Sequence, residues 1–175
     1  MEEYHRMAQA KILGEDDRVE LIEGEIINMT PIGSKHASTV NRINHLFSRH
    51  LGGRAIISVQ NPIRLGEHSE PQPDISLLKP KDDFYASSHP GPEDVLLLVE
   101  VSETSAEYDR EIKLPLYARF GIGEVWLVDL EGKVIEVYRD PSPEGYREVR
   151  TPGYDALLSP NSFPNLEIPV REILG

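Results

Sequence analysis

The residues best suited by type and placement to act together are two carboxylates and a lysine: Asp74, Glu100 and Lys113. Glu100 interrupts the run 95–101, Val-Leu-Leu-Leu-Val-Glu-Val, which has the length and composition of a strand buried on both faces. A carboxylate in such a strand is costly unless it is paired, protonated or bound to a metal. Asp74 lies behind Pro73 in a second strand-like segment, 72–78. If the two strands pair, the carboxylates converge at one end of the sheet and repel each other unless a cation joins them. Oxygen donors of this kind suit Mg²⁺ or Mn²⁺. Lys113 lies on the helical segment that follows Glu100, and a helix packed back on the sheet can aim it at the same point. Carboxylate, carboxylate and lysine around a hard cation form a constellation for phosphodiester hydrolysis. The metal polarises phosphate and lowers the pKa of water, while the amine orients the nucleophile or steadies developing charge.

Each residue also has a plainer reading. Pro-Asp at a strand start is common turn chemistry. An ion pair with Lys113 or an arginine would equally satisfy Glu100, and a lone helical lysine is usually solvated. Glu20, among Val19, Leu21 and Ile22, either faces the site or lines a solvated hairpin edge. His36, in the first turn of a long helix, either supports a phosphate or metal site or caps the helix at the surface. Lys35, Arg42 and Arg49 recur at heptad spacing along one helix face, which is either a strip for a nucleic-acid backbone or a solvated face. The chain carries no Gly-rich phosphate loop, nucleophile elbow or zinc-finger spacing.

The elements that must position these residues follow from periodicity. Residues 2–12 carry Tyr4, Met7, Ala8 and Ile12 near helical spacing, and a turn follows at 14–17. The stretch 18–29 reads as a hairpin turning at Glu23-Gly24. Ser34 is the expected N-cap of a helix over 35–51, whose buried face is Val40, Ile43, Leu46, Phe47 and Leu51 and which Gly52-Gly53 stops. Strands are expected at 54–61, 72–78 and 95–101, with an exposed loop over 79–92. A helix over 107–120 contains Pro115, which should bend or interrupt it. A hairpin over 124–139 turns at Glu131-Gly132, a further strand is expected at 146–150, and the tail 152–175 packs irregularly. The order helix, three strands, helix, strand, with hairpins at both ends, indicates one α/β (α+β) domain with a mixed sheet over residues 1–175.

Composition is consistent with this and narrows function. Charged residues make up 27% and no apolar run approaches membrane-spanning length. The acidic N-terminus has no signal-peptide core, so a cytoplasmic protein is expected. Zero cysteines exclude disulfides, thiolate metal sites and a cysteine nucleophile. A net charge of −12 argues against a sequence-blind nucleic-acid coat but not against an enzyme that meets DNA locally.

Several stretches together resemble a small bacterial restriction-endonuclease family within the PD-(D/E)XK nuclease superfamily. They are Glu20-Leu-Ile-Glu-Gly-Glu25, His36, Pro73-Asp74, Val99-Glu-Val-Ser102, the segment from Asp109 through Lys113 to Tyr117, Gly121-Ile-Gly-Glu-Val-Trp-Leu-Val-Asp129, and Leu166-Glu-Ile-Pro-Val170. The resemblance covers nearly the whole chain. It implies a restriction-endonuclease-like core and Asp74 and Glu100 as metal ligands. The superfamily's usual lysine, two residues after the glutamate, is here Ser102, and the resemblance points to Lys113 as its replacement. Lys113-x-x-x-Tyr117 is similar to a Gln-x-x-x-Tyr helix motif of exonuclease relatives. The expectation is therefore a Mg²⁺- or Mn²⁺-dependent DNA endonuclease. Asp74, Glu100 and the Val101 carbonyl would hold the metal, Lys113 would position the water, and Glu20, His36, Ser102 and Tyr117 would support the site. The alternative is a nuclease-like module that binds DNA or a protein partner without cleaving, favoured by Ser102 and the acidic charge. An edge strand near Ile22 or Ile135 would pair two chains into a homodimer suited to cutting both DNA strands.

Overall fold

A computed structural model describes residues 1–14 and 16–175. Of the turn expected at 14–17, Glu15 lies outside the described residues. The chain forms α1 (Glu2–Gln9), a hairpin of β1 (Val19–Ile22) and β2 (Glu25–Asn28), then α2 (Ser34–Leu51), β3 (Ile56–Val59), β4 (Ile75–Leu78) and β5 (Val95–Ser102). One continuous helical segment follows, made of α3 (Ala106–Tyr108), a π turn (Asp109–Lys113) and α4 (Leu114–Arg119). After it come β6 (Glu124–Asp129), β7 (Val134–Ser142), β8 (Gly145–Arg150), β9 (Leu157–Leu158), β10 (Ile168–Pro169) and α5 (Val170–Leu174).

The central sheet has the order β3-β4-β5-β6-β7-β8. Only the β5–β6 pair is parallel, so the sheet is mixed, as the order of elements required. Two cores follow from strand alternation. Leu97, Val99 and Val101 face α2 and α5, packing with Phe47, Trp126 and Ile173. Leu98 faces the opposite layer with Leu114, Leu116, Tyr117 and Leu127. Glu100 shares that second face of β5 by the same alternation.

Several local expectations are corrected. α1 ends at Gln9, buries none of its residues and leaves Ile12 67% exposed, because no apolar partner layer meets it. Gly33, not Ser34, is the N-cap of α2, and Ser34 is already helical. Asp74 stands one residue before β4 rather than within it. Pro115 interrupts the α ladder without ending the helix. The Leu114 N–H donates to the Asp109 carbonyl five residues back, so the ladder shifts frame immediately before the proline that cannot donate. β7 and β8 extend the central sheet, leaving the small β9–β10 pair and α5 as the C-terminal addition. Ile135 lies on β7 and is fully buried, paired with Val128 of β6, while β8 pairs with β7 from Val137 onward and forms the outer strand of the sheet there. β1–β2 forms its own two-stranded sheet, tied to the body through Leu21 and Glu70.

Candidate active site

Register brings the first two carboxylates level. Ile75 of β4 faces Val99 of β5 in an antiparallel pair, so Asp74, one step earlier, comes opposite Glu100. Both are buried, Asp74 at 8% and Glu100 at 3% exposure. The third group arrives from the parallel crossover. The helix joining β5 to β6 packs on the Leu98–Glu100 face, and its π turn carries Lys113 inward, 5% exposed. Lys113 Nζ lies 3.4 Å from Glu100 Oε1 and 3.1 Å from Glu20 Oε2. One turn further on, the Tyr117 hydroxyl donates to Glu100 Oε1 at 2.5 Å. Arg110, on the outer side of the π turn, ties it to the sheet end through Asp129 at 2.7 Å and Glu136 at 2.8 Å.

Asp74 is held by three donors. The Val101 N–H reaches its Oδ2 at 2.9 Å, His36 Nε2 reaches the same oxygen at 3.0 Å, and Gln60 Nε2 reaches Oδ1 at 3.1 Å. The hydrogen bond that His36 donates to Asp74 raises the His36 pKa, against the opposing effect of burial. Glu20 is buried at 3%, where a solvated edge was the plainer reading, and the Gln72 N–H fixes its Oε2 at 3.2 Å. Ser102 is fully buried, and its hydroxyl meets Ser105 Oγ at 2.9 Å, which in turn donates to Asp109 Oδ2 at 3.3 Å. Ser102, two residues after Glu100, therefore starts a hydroxyl relay to a fourth carboxylate, Asp109.

Asp109 was quoted within the resemblance but not assigned to the site. It is buried at 5%, and burial, with repulsion from Asp74, pushes its pKa up to about 6 against the pull of Lys113. Its signal was the i, i+4, i+8 ladder Asp109, Lys113, Tyr117 on one helix face. Gln60, Gln72, Arg18, Glu103 and Tyr108 also line the cleft and carried no sequence signal, because long-range packing alone assembles them. The cleft measures about 480 Å³ and runs between the segment 27–33 and the segment 103–109, with the carboxylates at its floor.

Four carboxylates (Glu20, Asp74, Glu100 and Asp109) thus surround one lysine, with His36 beside them. Burial pushes Glu100 up to about 8, repulsion from Asp109 and Asp74 adding to it, and Lys113 and Tyr117 opposing. Burial works against the Lys113 ammonium, but Glu100, Glu20 and Asp109 outweigh it and raise its pKa. Even with His36 protonated, the fully ionised cluster keeps a two-fold negative excess.

The expected basic strip is not brought to this cleft as a unit. Lys35 sits near its rim, 3.9 Å from Glu103. Arg42 instead donates to the Ile173 carbonyl of α5 at 2.9 Å, and Arg49 lies exposed toward the far end of α2. Among the described residues no cluster of three or more His, Cys, Asp or Glu side chains forms a ready metal cage.

A family model named Uma2, with the description "Putative restriction endonuclease", matches residues 1–171. The chain belongs to this family. A solved structure similar to this Uma2 chain is described as a "putative nuclease belonging to DUF820" from Anabaena variabilis ATCC 29413. The two are 18% identical, with 95% of this chain and 94% of that one covered and a TM-score of 0.72, a likeness that establishes the fold. None of the curated proteins compared with the Uma2 chain matches it. Among the described residues no helix is long and apolar enough to cross a membrane.

Proposed function

We propose that the chain is a divalent-metal-dependent nuclease that hydrolyses phosphodiester bonds in DNA. The observation that carries this reading is the buried meeting of Glu100 and Lys113, 3.4 Å apart, beside Asp74 on the adjoining strand. Membership of the Uma2 family supports the reaction class.

The donor set suits Mg²⁺ or Mn²⁺. Asp74, Glu100 and the Val101 carbonyl are all hard oxygen donors, and Mg²⁺ is commonly held by one or two carboxylates with waters and substrate phosphate completing its shell. Both hydrogen bonds to Glu100 fall on Oε1, which leaves Oε2 without a protein donor among the described residues. The two-fold negative excess of the cluster matches a divalent charge. When bound there, the ion would polarise the phosphate and acidify a water.

The chain's own residues do the rest. Gln60, His36 and the Val101 N–H fix Asp74 on three sides. Tyr117 fixes Glu100 from its own helix, and Gln72 fixes Glu20. Lys113 remains protonated between Glu20 and Glu100 and therefore acts as a cation, orienting the attacking water and countering charge on the phosphate. A second reading, a module that binds DNA without cutting, is favoured by Ser102, whose hydroxyl is committed to Ser105.

Nicking of supercoiled plasmid in Mg²⁺ or Mn²⁺ distinguishes them. The wild type is expected to nick, and Asp74→Asn or Glu100→Gln to abolish nicking while the protein stays folded. Undiminished cleavage by either variant removes that residue from the site, and a wild type that binds DNA but never nicks establishes the module reading. Action on both strands through a homodimer belongs to the same proposal, with the free β8 edge as its pairing surface.

A further inference from the structure

Among the described residues three side-chain atoms are shielded from solvent yet have no hydrogen-bond partner: His36 Nδ1, Ser76 Oγ and the Tyr108 hydroxyl. A polar group shielded from water without a partner is a cost to the fold and calls for an explanation. His36 is already held through its other nitrogen by Asp74. Ser76 sits on β4, 1% exposed, and does not line the cleft. Tyr108 is different. It lines the cleft, on the turn that leads directly into Asp109 and Lys113, and its shielded hydroxyl has no hydrogen-bond partner among the described residues.

The hydroxyl lies close enough to Glu20, Lys113, Asp109 and Glu100 for each to influence its ionisation, yet it bonds to none of them. Burial above all, with the three carboxylates, keeps it protonated and hence a donor. Three carboxylates lie near it and none accepts from it: Glu20 holds Lys113 and Gln72, Glu100 holds Lys113 and Tyr117 through Oε1, and Asp109 holds Ser105. A donor that none of its polar neighbours engages is placed for an acceptor that a ligand brings.

We propose that the Tyr108 hydroxyl is a substrate contact, donating a hydrogen bond to a non-bridging oxygen of the phosphodiester bound in the cleft. The inference rests on the nucleic-acid reading of the site. It adds a residue that neither binds metal nor moves a proton and that acts through affinity. Because the hydroxyl has no partner among the described residues, its removal leaves their hydrogen bonds intact. Function and stability therefore part company at this position.

The test is Tyr108→Phe, with Ser76→Ala as its control. The probe is a fluorescein-labelled DNA oligonucleotide, followed by anisotropy over a salt series, with nicking measured in parallel. Tyr108→Phe is expected to melt at or above the wild-type temperature and to bind the oligonucleotide roughly ten- to hundred-fold more weakly, the scale of one hydrogen bond to a charged group. The salt dependence should not change, since no charge is removed. Ser76→Ala removes an orphan hydroxyl outside the cleft and should leave affinity at the wild-type value. Binding by Tyr108→Phe within two-fold of wild type overturns the inference, as does a wild type that binds no oligonucleotide. A wild type that binds without nicking, with Tyr108→Phe weaker, removes the activity reading and keeps this one. A wild type that nicks, with Tyr108→Phe equal to it, does the reverse.

Discussion

Glu100→Gln should make the metal-free protein more stable at neutral pH while removing its function. The carboxyl is 3% exposed, and burial raises its pKa from an ordinary 4.5 to about 8. A carboxyl raised in the folded state contributes its full stability below pH 4.5, and that contribution is lost as pH climbs toward 8. At pH 7 the loss amounts to 2.303RT over the interval from 4.5, or about 3 kcal/mol. Local relaxation and water entry around a buried charge bring a working value down to about 2 kcal/mol. Lys113 does not offset this within the window, because its raised pKa acts only far above it. Glutamine is neutral at every pH, and its carbonyl can still accept from Tyr117 and Lys113. In a domain of this size 1 kcal/mol shifts the melting temperature by roughly 2–4 °C. Thermal denaturation in EDTA should therefore show Glu100→Gln melting about 4–8 °C above wild type at pH 7, with the difference gone by pH 4.5. A variant less stable than wild type at pH 7, or an equal difference at both values, would refute the electrostatic reasoning.

Three further outcomes follow from the same cluster. Mg²⁺ must displace the proton on Glu100, so titration calorimetry should show affinity rising as pH climbs toward 8, with proton uptake by the buffer, and Glu100→Gln should show no such binding. Lys113→Ala should keep metal binding but lose roughly two to four orders of magnitude in single-turnover nicking, whereas loss of metal binding as well would reduce the lysine to an ion-pair partner. Changing Lys35, Arg42 and Arg49 together to Glu should weaken DNA binding and flatten its salt dependence, with some loss of stability because Arg42 holds the Ile173 carbonyl. An unchanged salt slope would make the strip a solvated helix face.

What could be read from the sequence divides along physical lines. Glu100 was conspicuous because an ionisable group inside an apolar strand must have a partner, and the structure supplies Lys113 and Tyr117 from the next helix. The apolar run of β5 marked a central strand buried on both faces, and the glycines after the helical segments marked where the helices end. The side on which Glu20 faces could not be read, because the hairpin turn at Glu23-Gly24 intervenes and the answer depends on Gln72 and Lys113, distant in sequence. Asp109 was legible as a helical ladder with Lys113 and went unassigned. Gln60 and Tyr108 were not legible, since a glutamine beyond a short strand and a tyrosine at a helix start have no pattern until the cleft assembles. Pro115 marked the interruption of the α ladder, but not its form, because a π turn is a tertiary adjustment that helical periodicity does not encode.

The claim that Asp74 and Glu100 form a metal centre is tested most directly by a crystal of this chain soaked in Mn²⁺ and measured at the manganese absorption edge. The account predicts an anomalous peak between these carboxylates and next to the Val101 carbonyl, lost when Glu100→Gln crystals are treated in the same way. A Mn²⁺ ion bound elsewhere, or saturating Mn²⁺ with Glu100 still engaged only by Lys113 and Tyr117, would contradict it.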